Sequence, residues 1–284
     1  MGYDRSTPCA VWIITELPMA DFSSHLNTLA NYLWTLSPAA RRPAASASRL
    51  VAHRGAHGHG SSGAVVENTL EAFELCLQLG IWGAELDVQL TRDGEPVVHH
   101  DPHCGRLFQR PDLVIADTRF SELRAAVPHI PHLDEVVQMA HGRLHLMIEI
   151  KESWRQRTDL PLRVSERLQA LTPQADFHLL SLEPDHLEGF REIPKDAFVD
   201  VAQANTASIV RQNLALGHGA VAGSFALIGG GTLQQLRDAG RCVGTGFVEN
   251  GLILNREINR GVDWVFSDSV LQLPLDQGVA ADQS

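Results

Sequence analysis

Between Leu50 and Phe266 the chain alternates short apolar runs with longer stretches whose apolar residues recur every three or four positions. The first pattern predicts strands and the second predicts helices. Strands are expected at Arg49 to His53, Gly83 to Leu90, Leu144 to Lys151, Phe177 to Ser181, Ala197 to Val201, Gly219 to Phe225, Cys242 to Val248 and Val262 to Phe266. Asn68 is placed as the N-cap of the first intervening helix, with Glu71 three residues on as in a capping box. Leu70, Phe73 and Leu77 line one face of that helix, and Gly80 supplies a left-handed stop. Further helices are expected over His132 to Ala140, from Pro184 to Phe190, and over Thr232 to Asp238. Eight strands alternating with helices over residues 49–271 predict an α/β fold, a TIM (β/α)8 barrel.

Three segments stand outside the alternation. Residues 1–48 read as an N-terminal extension, with a short apolar run at Val11 to Ile14, a helix over roughly 22–36 carrying Leu26, Leu29, Ala30 and Leu33, and an Ala/Ser/Pro linker from Pro38 to Ser48. Residues 102–130 hold no strong strand pattern and read as a small insertion after the second strand, lying over the barrel mouth. Residues 272–284 read as a frayed tail.

Composition narrows the function. The 284 residues are 44 % hydrophobic and carry a formal net charge of −11, with no basic cluster beyond Arg41-Arg42. That balance argues against nucleic acid as a partner and against a broad anionic membrane surface. It still permits a small anionic substrate held by local cations. Cys9, Cys76, Cys104 and Cys242 are scattered, which suggests neither zinc nor a disulfide framework and favours a cytoplasmic location. No apolar run has the length of a transmembrane segment. The sequence sets no oligomeric state.

The phase of the second strand carries the chemistry. Alternate side chains share a face, so Glu85, Asp87 and Gln89 fall on one side and Ala84, Leu86, Val88 and Leu90 on the other. Two carboxylates facing the same way suit a hard cation; equally, they suit the wet face of a solvated hairpin. Arg92-Asp93-Gly94 turns the chain back and delivers His99, His100 and Asp101, with His99 pointing away from His100. On the third strand His145, Met147, Glu149 and Lys151 face inward, opposite Leu146, Ile148 and Ile150. An inward Glu and Lys are costly unless they pair or bind something.

His53-Arg54-Gly55, Glu67-Asn68-Thr69, Glu85-x-Asp87, Thr91-x-Asp93-Gly94, His100-Asp101 and Glu149-Ile150-Lys151 occur in that order. The set resembles the glycerophosphodiester phosphodiesterase family over roughly residues 50–270. Weaker echoes follow at Leu180-Ser181, Gly261-Val262-Asp263 and Ser267-Asp268. The resemblance implies a metal-dependent TIM-barrel enzyme that hydrolyses glycerophosphodiesters to sn-glycerol 3-phosphate and an alcohol. It implies Glu85, Asp87 and Glu149 as ligands of one divalent cation, Mg²⁺ or Ca²⁺, and His53 and His100 as the acid–base pair. Arg54 and Lys151 would bind the phosphate, and Glu67 would orient the glycerol or a catalytic neighbour. Attack by the substrate's own glycerol hydroxyl, through a cyclic phosphate, is the family's pattern.

Departures touch specificity. Val66 stands where the family usually has Pro, and Gly246-Phe247 where a Trp-Thr pair is usual, which leaves the alcohol open. A phospholipase-D-like or phosphoinositide-type lyase ending at a cyclic phosphate, and a catalytically silent phosphodiester-binding barrel, are the alternatives. His57 and His59 read as part of a solvated loop, and Gly229 to Gly231 as a turn.

Overall fold

The computed structural model describes residues 19–42, 49–60 and 63–274. The apolar run at 11–14, the linker from 43 and the tail beyond 274 lie outside them. The eight predicted strands form as β1 Arg49–Ala52, β2 Gly83–Leu90, β3 His145–Ile150, β4 Phe177–Ser181, β5 Phe198–Ala202, β6 Ala220–Ser224, β7 Cys242–Gly246 and β8 Trp264–Ser267. Each pairs in parallel with the next, and β1 pairs with both β8 and β2, closing the barrel. Val98 pairs with Val88 in a short antiparallel strand, Pro96–Val98, that prolongs the sheet beside β2. Gly94, at φ +80°, makes the turn between them.

Strand phase decides the two layers of the core. Leu86, Leu146, Ile148, Leu179, Val221, Val243 and Val265 point outward to Phe73, Val136, Leu160, Ile209, Leu233 and Ile258 on the surrounding helices. Val51, Met147, Leu180, Val199, Ala222, Trp264 and Phe266 fill the interior. A Val, Leu, Ile, Phe or Met of either layer, fully buried, contributes about 1.5–3 kcal/mol. The charged inward positions are therefore left to the strand ends, where the mouth opens.

Several local expectations are corrected. The helix Leu70–Gln78 is capped by Thr69, whose side chain accepts from the Ala72 amide, and not by Asn68. Asn68 sits one residue earlier at φ +56°. The stretch after Pro184 forms a 3-10 helix, Pro184–Gly189. Gly230 and Gly231 open the helix Gly230–Asp238 and are no loop turn. The N-terminal helix spans Met19–Trp34, but Leu26, Leu29 and Leu33 are exposed. Asn31 faces inward instead, donating to the Phe247 carbonyl at 3.0 Å and accepting from the Glu249 amide at 3.1 Å. Ala30 and Trp34 meet the core on that side.

The insertion is better ordered than its sequence pattern suggests. His103–Cys104 pairs antiparallel with Arg110–Val114, and a helix runs over Phe120–Ala126. Val97, Cys104, Ile115, Leu123, Val127 and Ile130 form its own small core. That core explains the missing strand signal: the segment packs on itself beside the barrel and needs no long apolar run.

Candidate active site

One cleft at the C-terminal end of the strands is lined by His53, Arg54, Glu85, His100, Glu149, Lys151 and Asp268 on its charged side. Leu180, Leu182, Val201, Ala222, Phe247 and Phe266 form the opposite, apolar side. This is the end at which barrel active sites sit. No residue of the insertion is among those lining the cleft.

Glu85 and Asp87 reach the mouth because β2 carries them in the inward phase; β3 does the same for Glu149, which pairs with Asp87 in register. One carboxylate oxygen from each lies within 4.8 Å of the others. Glu85 and Asp87 are buried, and Glu149 partly so. Glu85 Oε1 is buried with no hydrogen-bond partner in the structure. Burial first, and then the charges of Asp87 and Glu149, push the Glu85 carboxyl well above the usual range. Asp87 moves the other way: Lys151 and Arg54 outweigh its burial and hold it low. Lys151 Nζ lies 2.8 Å from Asp87 Oδ1 and 2.7 Å from Glu149 Oε1.

The loop after β1 supplies His53 and Arg54. Gly55 there has φ +80°, and a Cβ on it would stand 2.8 Å from that of Ala72, so the tight passage needs glycine. Arg54 is itself left-handed at φ +57°, a cost of order 1–3 kcal/mol that functional loops often carry. The conformation aims its amide at Glu85 Oε2 (2.9 Å) and its Nη1 at Glu67 Oε1 (2.8 Å), with Nε 3.4 Å from Asp87 Oδ2. The left-handed turn at Asn68 likewise frees its amide side chain to donate to Asp87 Oδ2 at 2.7 Å.

The two histidines are held alike. His53 Nδ1 lies 2.6 Å from Asp268 Oδ1, leaving Nε2 directed inward, 3.7 Å from Glu85 Oε2. Burial alone would lower its pKa, but Glu85 and Asp268 raise it to about 9. His100 Nδ1 lies 2.7 Å from Asp101 Oδ1. Its loop is pinned by Gln89, the third inward residue of that β2 face, whose side-chain amide donates to the carbonyls of His99, His100 and Asp101 at 2.6, 3.1 and 2.9 Å. His99 points away, buried, with Nε2 3.3 Å from the His103 carbonyl.

All eight sequence-nominated residues thus gather at one mouth, though Glu67 stands behind the cleft, accepting from Arg54 and Arg106. Sequence reasoning assigned no role to Gln89, Asp101, Arg106 or Asp268, and gave Asn68 the wrong one. His57 is no solvated-loop residue: its side chain is 19 % exposed, with Nε2 3.6 Å from Asp268 Oδ1, while His59 is exposed.

Comparison with known proteins bears on the fold as a whole. The family described as the glycerophosphoryl diester phosphodiesterase family matches residues 53–272. A glycerophosphodiester phosphodiesterase of Bacillus altitudinis is 35 % identical over 135 residues, 43 % of this chain and 53 % of that protein. The chain spans about half the length of the curated relatives it matches. The crystal structure of a glycerophosphodiester phosphodiesterase from Thermotoga maritima is 26 % identical and covers 79 % of this chain and 96 % of its own, with a TM-score of 0.63. An Oleispira antarctica phosphodiesterase, solved with its product sn-glycerol-3-phosphate, shares the fold at 24 % identity and a TM-score of 0.65, over 79 % and 94 % of the two chains.

Proposed function

We propose, for a chain that belongs to the glycerophosphoryl diester phosphodiesterase family, that its mouth hydrolyses glycerophosphodiesters to sn-glycerol 3-phosphate and an alcohol. The supporting observation is the meeting of Glu85, Asp87 and Glu149 at the mouth that His53 and His100 also line. The unpartnered Glu85 Oε1 and the all-oxygen donor set fit a hard cation, Mg²⁺ or Ca²⁺, held by Glu85, Asp87 and Glu149. Such an ion, when bound, supplies Lewis-acid polarisation of a phosphate oxygen.

The chain's own groups do the rest. His53 and His100 each present Nε2 to the cleft, because a carboxylate takes Nδ1. One takes the proton from the attacking glycerol hydroxyl and the other gives one to the leaving alcohol; water then opens the cyclic phosphate to the monoester with those roles exchanged, work suited to imidazole. Arg54 and Lys151 hold the phosphate and its developing charge. Glu67 orients Arg54. The apolar side of the cleft, from β4 to β8, takes the arm of the substrate that carries no charge.

Phosphorus NMR of glycerophosphocholine turnover, with and without Mg²⁺, tests the reading. A monoester formed only with the cation supports it. Accumulation of a cyclic phosphodiester would make the protein a lyase, and silence toward several head groups would leave a binding barrel.

A further inference from the structure

Arg106 lies outside the cleft, on the one-turn helix Gly105–Phe108 of the insertion. Its guanidinium makes four hydrogen bonds to two carboxylates. Nε donates to Asp101 Oδ2 at 2.8 Å and Nη2 to Asp101 Oδ1 at 3.2 Å. Nη2 also donates to Glu67 Oε1 at 2.6 Å, and Nη1 to Glu67 Oε2 at 3.1 Å. Each carboxylate then holds a different active-site side chain, Asp101 the imidazole of His100 and Glu67 the guanidinium of Arg54. Side-chain exposure falls along this path, from 45 % at Arg106 to 15 % at Asp101 and 11 % at Glu67. The helix that carries Arg106 follows Cys104, which is buried in the insertion's own core.

We propose that Arg106 is a positioning residue that sets His100 and Arg54 in register with each other from outside the cleft. The inference rests on the proposed function for its kinetic consequence, not for its geometry. A planar fork meets two carboxylates edge-on, with two bonds to each; an ammonium can bridge two carboxylates only through single oxygens, as Lys151 does, and loses the edge-on alignment. Without the fork, Asp101 and Glu67 are two like charges with no common counterion, and each is free to turn away from the group it orients. The insertion is thereby coupled to the chemistry without touching substrate.

The test compares the full-length wild type with Arg106→Gln, Arg106→Lys and Asp101→Asn. It reads glycerophosphocholine turnover, thermal melting and the ¹⁵N imidazole signals of His100. Loss of an outer partner of this kind costs roughly 10–100-fold in activity. Arg106→Gln is expected to lower kcat by that order, with a smaller rise in KM, and Arg106→Lys to recover only part. Both should shift His100 from a single tautomer toward a mixture. Arg106→Gln combined with Asp101→Asn should be little worse than either alone, since both break one chain. The proposal falls if Arg106→Gln keeps kcat within about twofold and leaves the His100 signals unchanged. It falls equally if lost activity follows lost folding while the His100 tautomer stays fixed. Were the wild type silent toward every glycerophosphodiester, the proposed function would fail, while the tautomer of His100 would still decide the positioning role. Should Arg106→Gln not fold, Arg106→Lys and Asp101→Asn carry the same readouts.

Discussion

Each end of the barrel holds a pair of histidines, and the two pairs have opposite surroundings. At the C-terminal mouth, His53 and His100 each have a carboxylate at Nδ1. At the N-terminal end, His145 on β3 and His178 on β4 bond each other, Nε2 to Nδ1 at 2.8 Å, with Trp82 stacked on His145 and Trp264 edge-on to His178. Burial pushes His145 down to about 4, and burial together with His145 pushes His178 down to about 3. His53 is also largely shielded, yet stands near 9. The difference is the presence of anionic neighbours: desolvation acts at both ends, and only the mouth supplies charges that reverse it. One end therefore surrounds its rings with charge, and the other keeps two neutral rings packed.

The largest effect expected from breaking this contrast is at the acids. Glu149→Gln and Asp87→Asn should each abolish cation-dependent turnover, as should EDTA on the wild type. Glu85→Gln should do the same, yet raise the melting temperature of the metal-free protein. Relief of the Asp87 and Glu149 repulsion is worth roughly 2–4 °C for each kcal/mol recovered. A fall in melting temperature would mean that Glu85 is a structural partner. Next come the mouth histidines: His53→Ala and His100→Ala should each lower kcat by on the order of 10²–10⁴. The His145→Leu/His178→Phe double variant should leave kcat near wild type.

The lower pair should show in stability against pH. Both rings have folded pKa values below the unfolded value of about 6.5, so the unfolded chain binds more protons between them. Their contribution is complete above about pH 6.5 and is lost progressively as pH falls toward 4. Denaturant melts at pH 7 and 5 should show a smaller acid loss in the double variant than in the wild type; an equal loss would place the charge elsewhere. The smallest effect is expected at His99, which lies beside His100 but faces away. His99→Ala should lose stability and keep most activity. If it abolished turnover while His100→Ala spared it, the assigned strand phase would be off by one residue.

The barrel strands were legible because strand alternation is a local property: it put Glu85 and Asp87 on one side of β2 but left that side either wet or cation-holding, and only the family resemblance grouped them with Glu149. Lys151 and Glu149 were found by the same alternation on β3. Asn68 was misplaced because a residue that favours caps also tolerates a left-handed turn, and sequence alone does not separate those uses. The N-terminal helix was legible as a helix, but its Leu residues mark the exposed side, since Asn31 takes its partners from the loop after β7. Asp268 and Arg106 were given no role for another reason. Asp268 meets His53 across 215 residues, and Arg106 meets Glu67 across 39, so only closure of the barrel and folding of the insertion bring them together.

Calorimetric titration of the metal-free protein with Mg²⁺ and with Ca²⁺ tests the difference between the two ends most directly. One cation per chain should bind in the wild type and in the His145→Leu/His178→Phe variant, and none in Glu85→Gln/Glu149→Gln. Undiminished binding in Glu85→Gln/Glu149→Gln, or its loss in His145→Leu/His178→Phe, would contradict the assignment of the mouth as the cation-holding end.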